Sequence, residues 1–155
     1  MGSAVRAEQQ QRTVIVVDAS TAVEILVDSP AGTTALAAMQ AHLPAVVPTS
    51  FDAEVFNGLR RLYVRGALAR GALLEAVELL TAFDAERADL RPSLRAAVRL
   101  IDSFGGHDVF YVLLAIERGC PLLTCDLALA RAATAAGLEV IAIDTRVRPT
   151  ARQRA

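Results

Sequence analysis

The sequence predicts an α/β protein with three layers, in which helices cover both faces of a central, mainly parallel sheet. Short apolar runs that are typical of strands alternate with amphipathic helices along most of the chain. The strand-like runs are apolar at successive positions, as in parallel strands that are buried on both faces. Right-handed helical crossovers join such strands, which completes the α/β/α architecture.

Length and composition predict one folded domain. The chain has 155 residues, of which 54% are apolar and 21% are charged, whereas a disordered chain carries far fewer apolar residues. It contains sixteen arginines and no lysine, which excludes enzymes that need an active-site lysine. Its two cysteines, Cys120 and Cys125, are predicted to be reduced core residues.

The first strand is predicted over residues 13–17, a β-branched run that leads into Asp18. A helix follows at once, because Thr21 and Glu24 have the spacing of a capping box and apolar residues recur beside them. A second helix is predicted over residues 32–42, where apolar side chains recur on one side.

A second strand is predicted over residues 45–47, and Thr49 with Asp52 forms the capping box of a third helix. Apolar residues recur at helical spacing in that helix until Gly66 ends it. A fourth amphipathic helix covers residues 73–83.

The next elements are a brief strand over residues 89–91 and a fifth helix over residues 94–101, which Gly105 and Gly106 end. The sixth helix begins at Asp108 and is apolar on nearly all sides, which indicates burial between layers.

The last part of the chain repeats the alternation of strand and helix. Gly119 ends the sixth helix, and residues 121–124 form another apolar strand. An alanine-rich helix over residues 126–136 and a strand over residues 139–143 complete the predicted fold.

Both ends of the chain are predicted to lie outside the domain. Residues 1–12 form a polar extension without the features of a signal peptide, the domain covers residues 13–145, and residues 146–155 form a basic tail. The charge-free stretch 29–51 contains prolines and polar residues, so it does not predict a membrane span. We therefore expect a cytoplasmic protein without a membrane segment.

Four acidic residues are predicted to meet at one edge of the sheet. The first strand leads into Asp18, and the strand that ends at Thr124 is followed by Asp126. Asp108 opens the sixth helix, and Glu54 lies in the first turns of a helix that also follows a strand. Ligands of open parallel sheets bind beyond the carboxyl ends of the strands. The four acids are therefore candidates for one site.

Each acid also has a purely structural interpretation, as a helix cap, as a first-turn acid favoured by the helix dipole, or as a solvated side chain. Together they favour a site, because four separate segments each deliver an acid to the same edge.

Carboxylates gathered in this way need a cation. Two of them ~5 Å apart repel by ~3 kcal/mol at an effective dielectric of ~20, so four either take up protons or bind cations. No lysine is present to neutralise them, and hard oxygen ligands suit Mg²⁺ or Mn²⁺. Ser20 and Thr124 can add hydroxyl groups. Ions held by such ligands activate water for phosphodiester hydrolysis.

Four segments of the sequence resemble the PIN-domain ribonucleases, and among them the VapC-type toxins of bacterial toxin–antitoxin pairs. The segments are VIVVDAS at 14–20, VPTSFDAEVFN at 47–57, HDVFYVLLA at 107–115 and LLTCDLALA at 122–130. Their order and spacing match the family from residue 14 to residue 143.

The resemblance implies a catalytic site for Mg²⁺ or Mn²⁺. Its ligands would be the four acids Asp18, Glu54, Asp108 and Asp126, with Ser20 or Thr124 as supporting residues. Asn57, one helical turn beyond Glu54, is either a further supporting residue or a solvated helix residue.

The resemblance also implies a function and partners. It indicates an endoribonuclease toxin with a PIN-like α/β/α fold that cleaves RNA and forms a homodimer. It further implies a VapB-type antitoxin whose carboxyl-terminal segment lies over the active-site groove. His107 departs from the family, which commonly has a tyrosine at that position. This histidine either contacts substrate or acts on a proton near neutral pH, or it is a helix-capping or exposed histidine without such a role.

Two other functions with acids at strand ends are rejected, and a third remains open. Receiver domains and haloacid-dehalogenase-like phosphatases resemble this pattern, but both use a lysine that this chain lacks. The phosphatases also carry a second aspartate two residues after the first, where Ser20 stands here. A catalytically inert PIN-like module that acts through protein contacts remains open.

The arginines suggest two surfaces for phosphate or for an acidic partner. Residues 1–144 hold twelve arginines against seventeen acids, a net charge of −5, whereas the last eleven residues hold four arginines and no acid. Arg60, Arg61 and Arg65 form a second basic patch on the third predicted helix.

Overall fold

The computed structural model describes residues 14–146. Its described part begins one residue before the first strand and ends shortly after the last one. The predicted polar extension over residues 1–12 lies outside the described residues, and so does the predicted tail, except for its first residue, Arg146.

In the described part of the chain, five parallel strands form one sheet in the order β3-β2-β1-β4-β5. They are Ile15–Val17 (β1), Ala45–Pro48 (β2), Glu86–Ala88 (β3), Leu122–Thr124 (β4) and Val140–Ala142 (β5). β1 lies at the centre, where Val16 is in register with Val46 of β2 and with Leu122 of β4. The strand order reverses at β1, and its carboxyl end is therefore where a ligand site is expected.

Within residues 14–146, seven α-helices connect and cover the strands. They are Ala19–Leu26 (α1), Pro30–Gln40 (α2), Phe51–Val64 (α3), Arg70–Thr81 (α4), Leu94–Ala97 (α5), Asp108–Arg118 (α6) and Leu127–Ala135 (α7). α6 packs on β1, β2 and β4, whereas α7 packs on β4 and β5. The predicted three-layer α/β/α fold is confirmed, and the sheet is entirely parallel.

The core is centred on β1. Ile15, Val16 and Val17 are fully buried, which explains why this strand is apolar at successive positions. Phe51 of α3 and Tyr111 of α6 are the largest fully buried side chains among the described residues. Cys120 and Cys125 are buried and free, as predicted.

The third strand was predicted over residues 89–91, and that prediction is wrong. β3 is Glu86–Ala88, and a turn follows it in which the Asp89 carboxylate accepts a hydrogen bond from the backbone of Arg91. β3 lies at the edge of the sheet and is partly exposed, so it needs no apolar run. Sequence hydrophobicity therefore could not reveal it.

Both predicted capping boxes are also wrong. Asp18 caps α1, which leaves Thr21 inside the helix with its hydroxyl donating to the carbonyl of Leu123 across 3.4 Å. Ser50, not Thr49, precedes α3, and its hydroxyl bonds a side chain rather than the backbone.

The fifth predicted helix, over residues 94–101, is only one turn of α-helix. It is flanked by 3₁₀ segments at Arg91–Ser93 and Val98–Leu100. In the described part of the chain, no helix has the length and apolar character that crossing a bilayer requires.

Helices α1 and α2 approach each other very closely at Gly32. A Cβ atom added there would lie 2.0 Å from the carbonyl oxygen of Glu24. Two hydrogen bonds of Ser29 support this close approach. Its hydroxyl donates to the carboxylate of Glu24 and accepts from the amide of Gly32.

Gly32→Ala is expected to lower the free energy of unfolding by about 1–3 kcal/mol, because the backbones of α1 and α2 must move apart to admit the Cβ atom. Gly71→Ala in α4 is the matched control, since a Cβ there meets nothing within 4 Å. The control should raise stability by up to ~1 kcal/mol. Urea unfolding of both variants measures the difference, and equal effects would contradict the close approach.

Candidate active site

Asp18 is the most enclosed of the four predicted acids. It follows β1, caps α1 and is 5% exposed. Its carboxylate accepts hydrogen bonds from the hydroxyl of Ser20 at 2.6 Å and from the hydroxyl of Thr124 at 2.7 Å. The structural and functional interpretations of this acid are therefore compatible, because the cap also fixes the orientation of the carboxylate.

Thr124 connects two strand ends. It is fully buried, and its hydroxyl accepts a hydrogen bond from the amide of Asp126 at 3.0 Å while it donates to Asp18. Thr21 adds a second link, because its hydroxyl accepts a hydrogen bond from the amide of Cys125 at 2.9 Å. The ends of β1 and β4 are thus joined by side chains as well as by backbone.

Glu54 lies in α3 and lines the same pocket as Asp18. The hydroxyl of Ser50, one turn earlier, donates to its carboxylate at 2.5 Å. His107 Nδ1 lies 3.8 Å from the second oxygen of Glu54, and the histidine side chain is 63% exposed. Burial raises the pKa of Glu54, and the Ser50 hydrogen bond opposes this effect.

Asp126 and Asp108 begin two helices. Asp126 caps α7 by accepting hydrogen bonds from the amides of Ala128 and Leu129, and it remains exposed. Asp108 is the first residue of α6. Burial raises the pKa of Asp108 to about 6, and the charges of the other three acids contribute to this rise. The four carboxylates are therefore close enough to interact electrostatically.

One pocket of about 470 Å³ brings these side chains together. Its polar lining consists of Asp18, Ser20, Ser50, Glu54, Asn57, Arg61, His107, Asp108 and Asp126. Every predicted site residue except Thr124 lines the pocket, and Thr124 lies behind Asp18. His107 precedes α6 without a side-chain capping bond, so the interpretation as a cap is wrong, whereas the alternative of an exposed histidine agrees with its exposed side chain.

The donor chemistry of the pocket fits a hard divalent cation, because it offers four carboxylates and the chain has no lysine. Within residues 14–146, no three Asp, Glu, His or Cys side chains stand in a finished metal-binding arrangement. Glu54 is turned to Ser50, and Asp18 is bonded to two hydroxyls. Glu54 uses one carboxylate oxygen for Ser50, so its second oxygen can act as a ligand.

Sequence reasoning did not place Ser50, Arg61 or Tyr111 at this site. Ser50 directly precedes α3, four residues before Glu54, and Arg61 lies seven residues after Glu54 in that helix, so helical spacing contained the signal. Tyr111 follows Asp108 by three residues, but its apolar neighbours suggested a core residue only.

Comparison with known proteins supports the same interpretation of the fold. A family model described as "PIN domain" matches residues 15–135, a range that includes all four acids. The chain belongs to the PIN domain family.

Several curated PIN domain relatives come from Mycobacterium tuberculosis (strain ATCC 25618 / H37Rv). Ribonuclease VapC12 is 33% identical over 112 residues, which cover 72% of this chain and 86% of that protein. Ribonuclease VapC3 is 36% identical over 118 residues, which cover 76% of this chain and 86% of that protein. Ribonuclease VapC9 is 30% identical over 115 residues, which cover 74% of this chain and 87% of that protein. The similarity therefore extends over most of each relative.

The raised pKa of Asp108 has a consequence for the metal-free protein. Its value of about 6 lies above the ordinary value of an unfolded aspartate, ~3.9. Between these values the folded chain keeps a proton that the unfolded chain loses, so folding stability falls as pH rises through this window.

Asp108→Asn removes the negative charge of Asp108 and with it the repulsion from the other three acids. In EDTA at pH 8, we expect the melting temperature to rise by ~2–4 °C, which corresponds to roughly 1 kcal/mol once solvent screening is included. At pH 5 the gain should shrink, because Asp108 is then protonated in the folded wild type. Asp102→Asn, at an exposed position outside the pocket, is the control. An equal rise in melting temperature at pH 5 and at pH 8 would contradict the raised pKa of Asp108.

Proposed function

We propose that this chain is a cytoplasmic, divalent-metal-dependent endoribonuclease of the VapC type, the toxin of a type II toxin–antitoxin pair. The observation that carries the proposal is the convergence of four carboxylates from four segments on one pocket of a PIN domain. The similarity to proteins named ribonucleases supports RNA as the substrate.

The acids Asp18, Glu54, Asp108 and Asp126 would hold Mg²⁺ or Mn²⁺. When bound, such an ion lowers the pKa of a water molecule and stabilises charge on the phosphate. Ser20 and Thr124 support this chemistry by holding the Asp18 carboxylate in one orientation. Ser50 keeps Glu54 at the rim of the pocket through their hydrogen bond.

RNA phosphates approach an acidic pocket only where cations offset the repulsion. Arg61 is the arginine that lines the pocket, and among the described residues it forms no ion pair. A guanidinium in this position can bind a phosphate of the substrate through charge-assisted hydrogen bonds. Asn57, one turn before it, lines the same wall and can add an amide contact.

Two protein partners belong to the proposal. A VapB-type antitoxin would lie over the pocket, and the acidic lining suits a basic segment of such a partner. A second copy of the chain would cover an exposed apolar stripe at Leu94, Val98 and Ile101, which are spaced four and three residues apart.

RNA cleavage by the purified full-length protein tests the activity. We expect cleavage with MnCl₂ or MgCl₂ and none with EDTA. Asp18→Asn and Asp108→Asn should each lower the rate by more than ~100-fold, since even an outer-shell partner of a metal is worth 10–100-fold. Asp102→Asn is the control for charge alone. Undiminished activity in both site variants would refute the site, and a wild type that neither cleaves RNA nor binds Mn²⁺ would favour the inert module.

Arg61→Gln tests the phosphate contact. We expect KM for RNA to rise by about tenfold with little change in kcat, as for the loss of one charge-assisted hydrogen bond. The dependence of binding on salt should also weaken, because one phosphate contact is lost. Arg60→Gln removes the same charge from an exposed position that does not line the pocket, and it should change KM less than twofold. Equal changes of KM in the two variants would mean that Arg61 acts only through its contribution to the net charge of the protein.

A further inference from the structure

The hydroxyl of Tyr111 is in an unusual environment. Tyr111 is fully buried, and among the side chains of residues 14–146 its hydroxyl is the one buried polar atom without a hydrogen-bond partner. Buried polar groups are nearly always paired, since an unpaired one loses its hydration without compensation. A phenylalanine would fill the same space without this cost. The hydroxyl therefore needs an explanation other than packing.

Its position in the fold places it at the acidic site. Tyr111 follows Asp108 by three residues in α6, so the two side chains lie on one face of that helix. α6 packs on β1 and β2, the strands that lead to Asp18 and to the helix of Glu54. Tyr111 thus reaches the acidic cluster from its buried side.

The electrostatics of Tyr111 agree with this placement. Burial raises the pKa of its hydroxyl, and the negative charges of Glu54 and Asp18 raise it further. The hydroxyl therefore stays neutral and keeps its proton. The Tyr111 hydroxyl also approaches Glu54 as a hydrogen-bond donor would: this approach lowers the pKa of Glu54, although less than the hydrogen bond from Ser50 does, and raises that of Tyr111. Tyr111 is therefore a proton donor beside Glu54 whose hydroxyl does not reach the distance and angle of a formed hydrogen bond.

Glu54 is the carboxylate that can take up this hydrogen bond. In the metal-free structure it accepts from Ser50, at the amino-terminal end of α3. Asp18, in contrast, already accepts from the hydroxyls of Ser20 and Thr124 and from the amide of Ser20. Glu54 therefore has two donors within reach, Ser50 at the pocket rim and Tyr111 beneath it.

We infer that Tyr111 is a positioning residue whose hydroxyl completes a hydrogen bond to Glu54 when this carboxylate turns to act as a ligand. The inference rests on the proposed metal dependence and adds a role for a residue outside the four acids. In this role the hydroxyl gains its partner only in the metal-bound state. The hydroxyl then lacks a formed hydrogen bond in the metal-free protein because Glu54 is not in its metal-binding position.

Tyr111→Phe separates positioning from packing, with the full-length protein and MnCl₂ as the probe. Without metal, the variant should be at least as stable as the wild type, because it loses no hydrogen bond and no unpaired hydroxyl remains. Calorimetric titration should show Mn²⁺ affinity lowered about 10–100-fold, as for loss of an outer-shell partner. RNA cleavage should fall at low Mn²⁺ and recover at saturating Mn²⁺.

Tyr63→Phe is the matched control, because it removes the same hydroxyl from a partly exposed position that does not line the pocket. Its Mn²⁺ affinity should equal that of the wild type. Unchanged Mn²⁺ affinity in Tyr111→Phe would overturn the inference, and so would a lower melting temperature in EDTA, because the hydroxyl would then be paired without metal. A wild type that binds no Mn²⁺ would instead refute the metal dependence on which the inference rests.

Discussion

The hydrogen bond from the hydroxyl of Thr124 to the carboxylate of Asp18 organises the site. It spans 2.7 Å and joins residues 106 positions apart in the chain. The same threonine hydroxyl accepts from the amide of Asp126, so one buried side chain fixes two of the four acids relative to each other. Because β1 and β4 are adjacent parallel strands, this bond also fixes their carboxyl ends. The remaining acids are carried to this point by α3 and α6.

The cost of this arrangement is electrostatic, and the core around β1 offsets it. Four carboxylates share one pocket, and the pKa of Asp108 rises to about 6 as a result of burial and of the other acids. Ile15, Val16 and Val17 beneath them are fully buried. Each such side chain contributes about 1.5–3 kcal/mol on burial, comparable to the repulsion of one carboxylate pair. A rigid apolar strand can therefore support an unfavourable group of charges at its end.

The sequence was sufficient to predict what depends on local pattern. Buried strands such as β1 and β4 and the acids that follow them were predictable, because apolar runs and strand ends are local features. β3 was not predictable, because an edge strand with Glu86 and Arg87 needs no apolar run. The capping role of Thr21 was predicted wrongly, since its partners lie on β4 and beyond, about a hundred residues away. Long-range partners of hydroxyl groups leave no signal in local spacing.

Several unfavourable features of the metal-free protein share one location, and a single cation would offset them together. Asp108 and Glu54, whose pKa values are raised, line the acidic pocket, and the Tyr111 hydroxyl, which lacks a formed hydrogen bond, lies beside Glu54. A cation that binds only the folded state, present at 100 times its Kd, adds about 2.7 kcal/mol to stability. Ion binding would thus be coupled to folding by the groups that make the metal-free site unfavourable. Selection for a stronger metal site would then lower the stability of the metal-free fold.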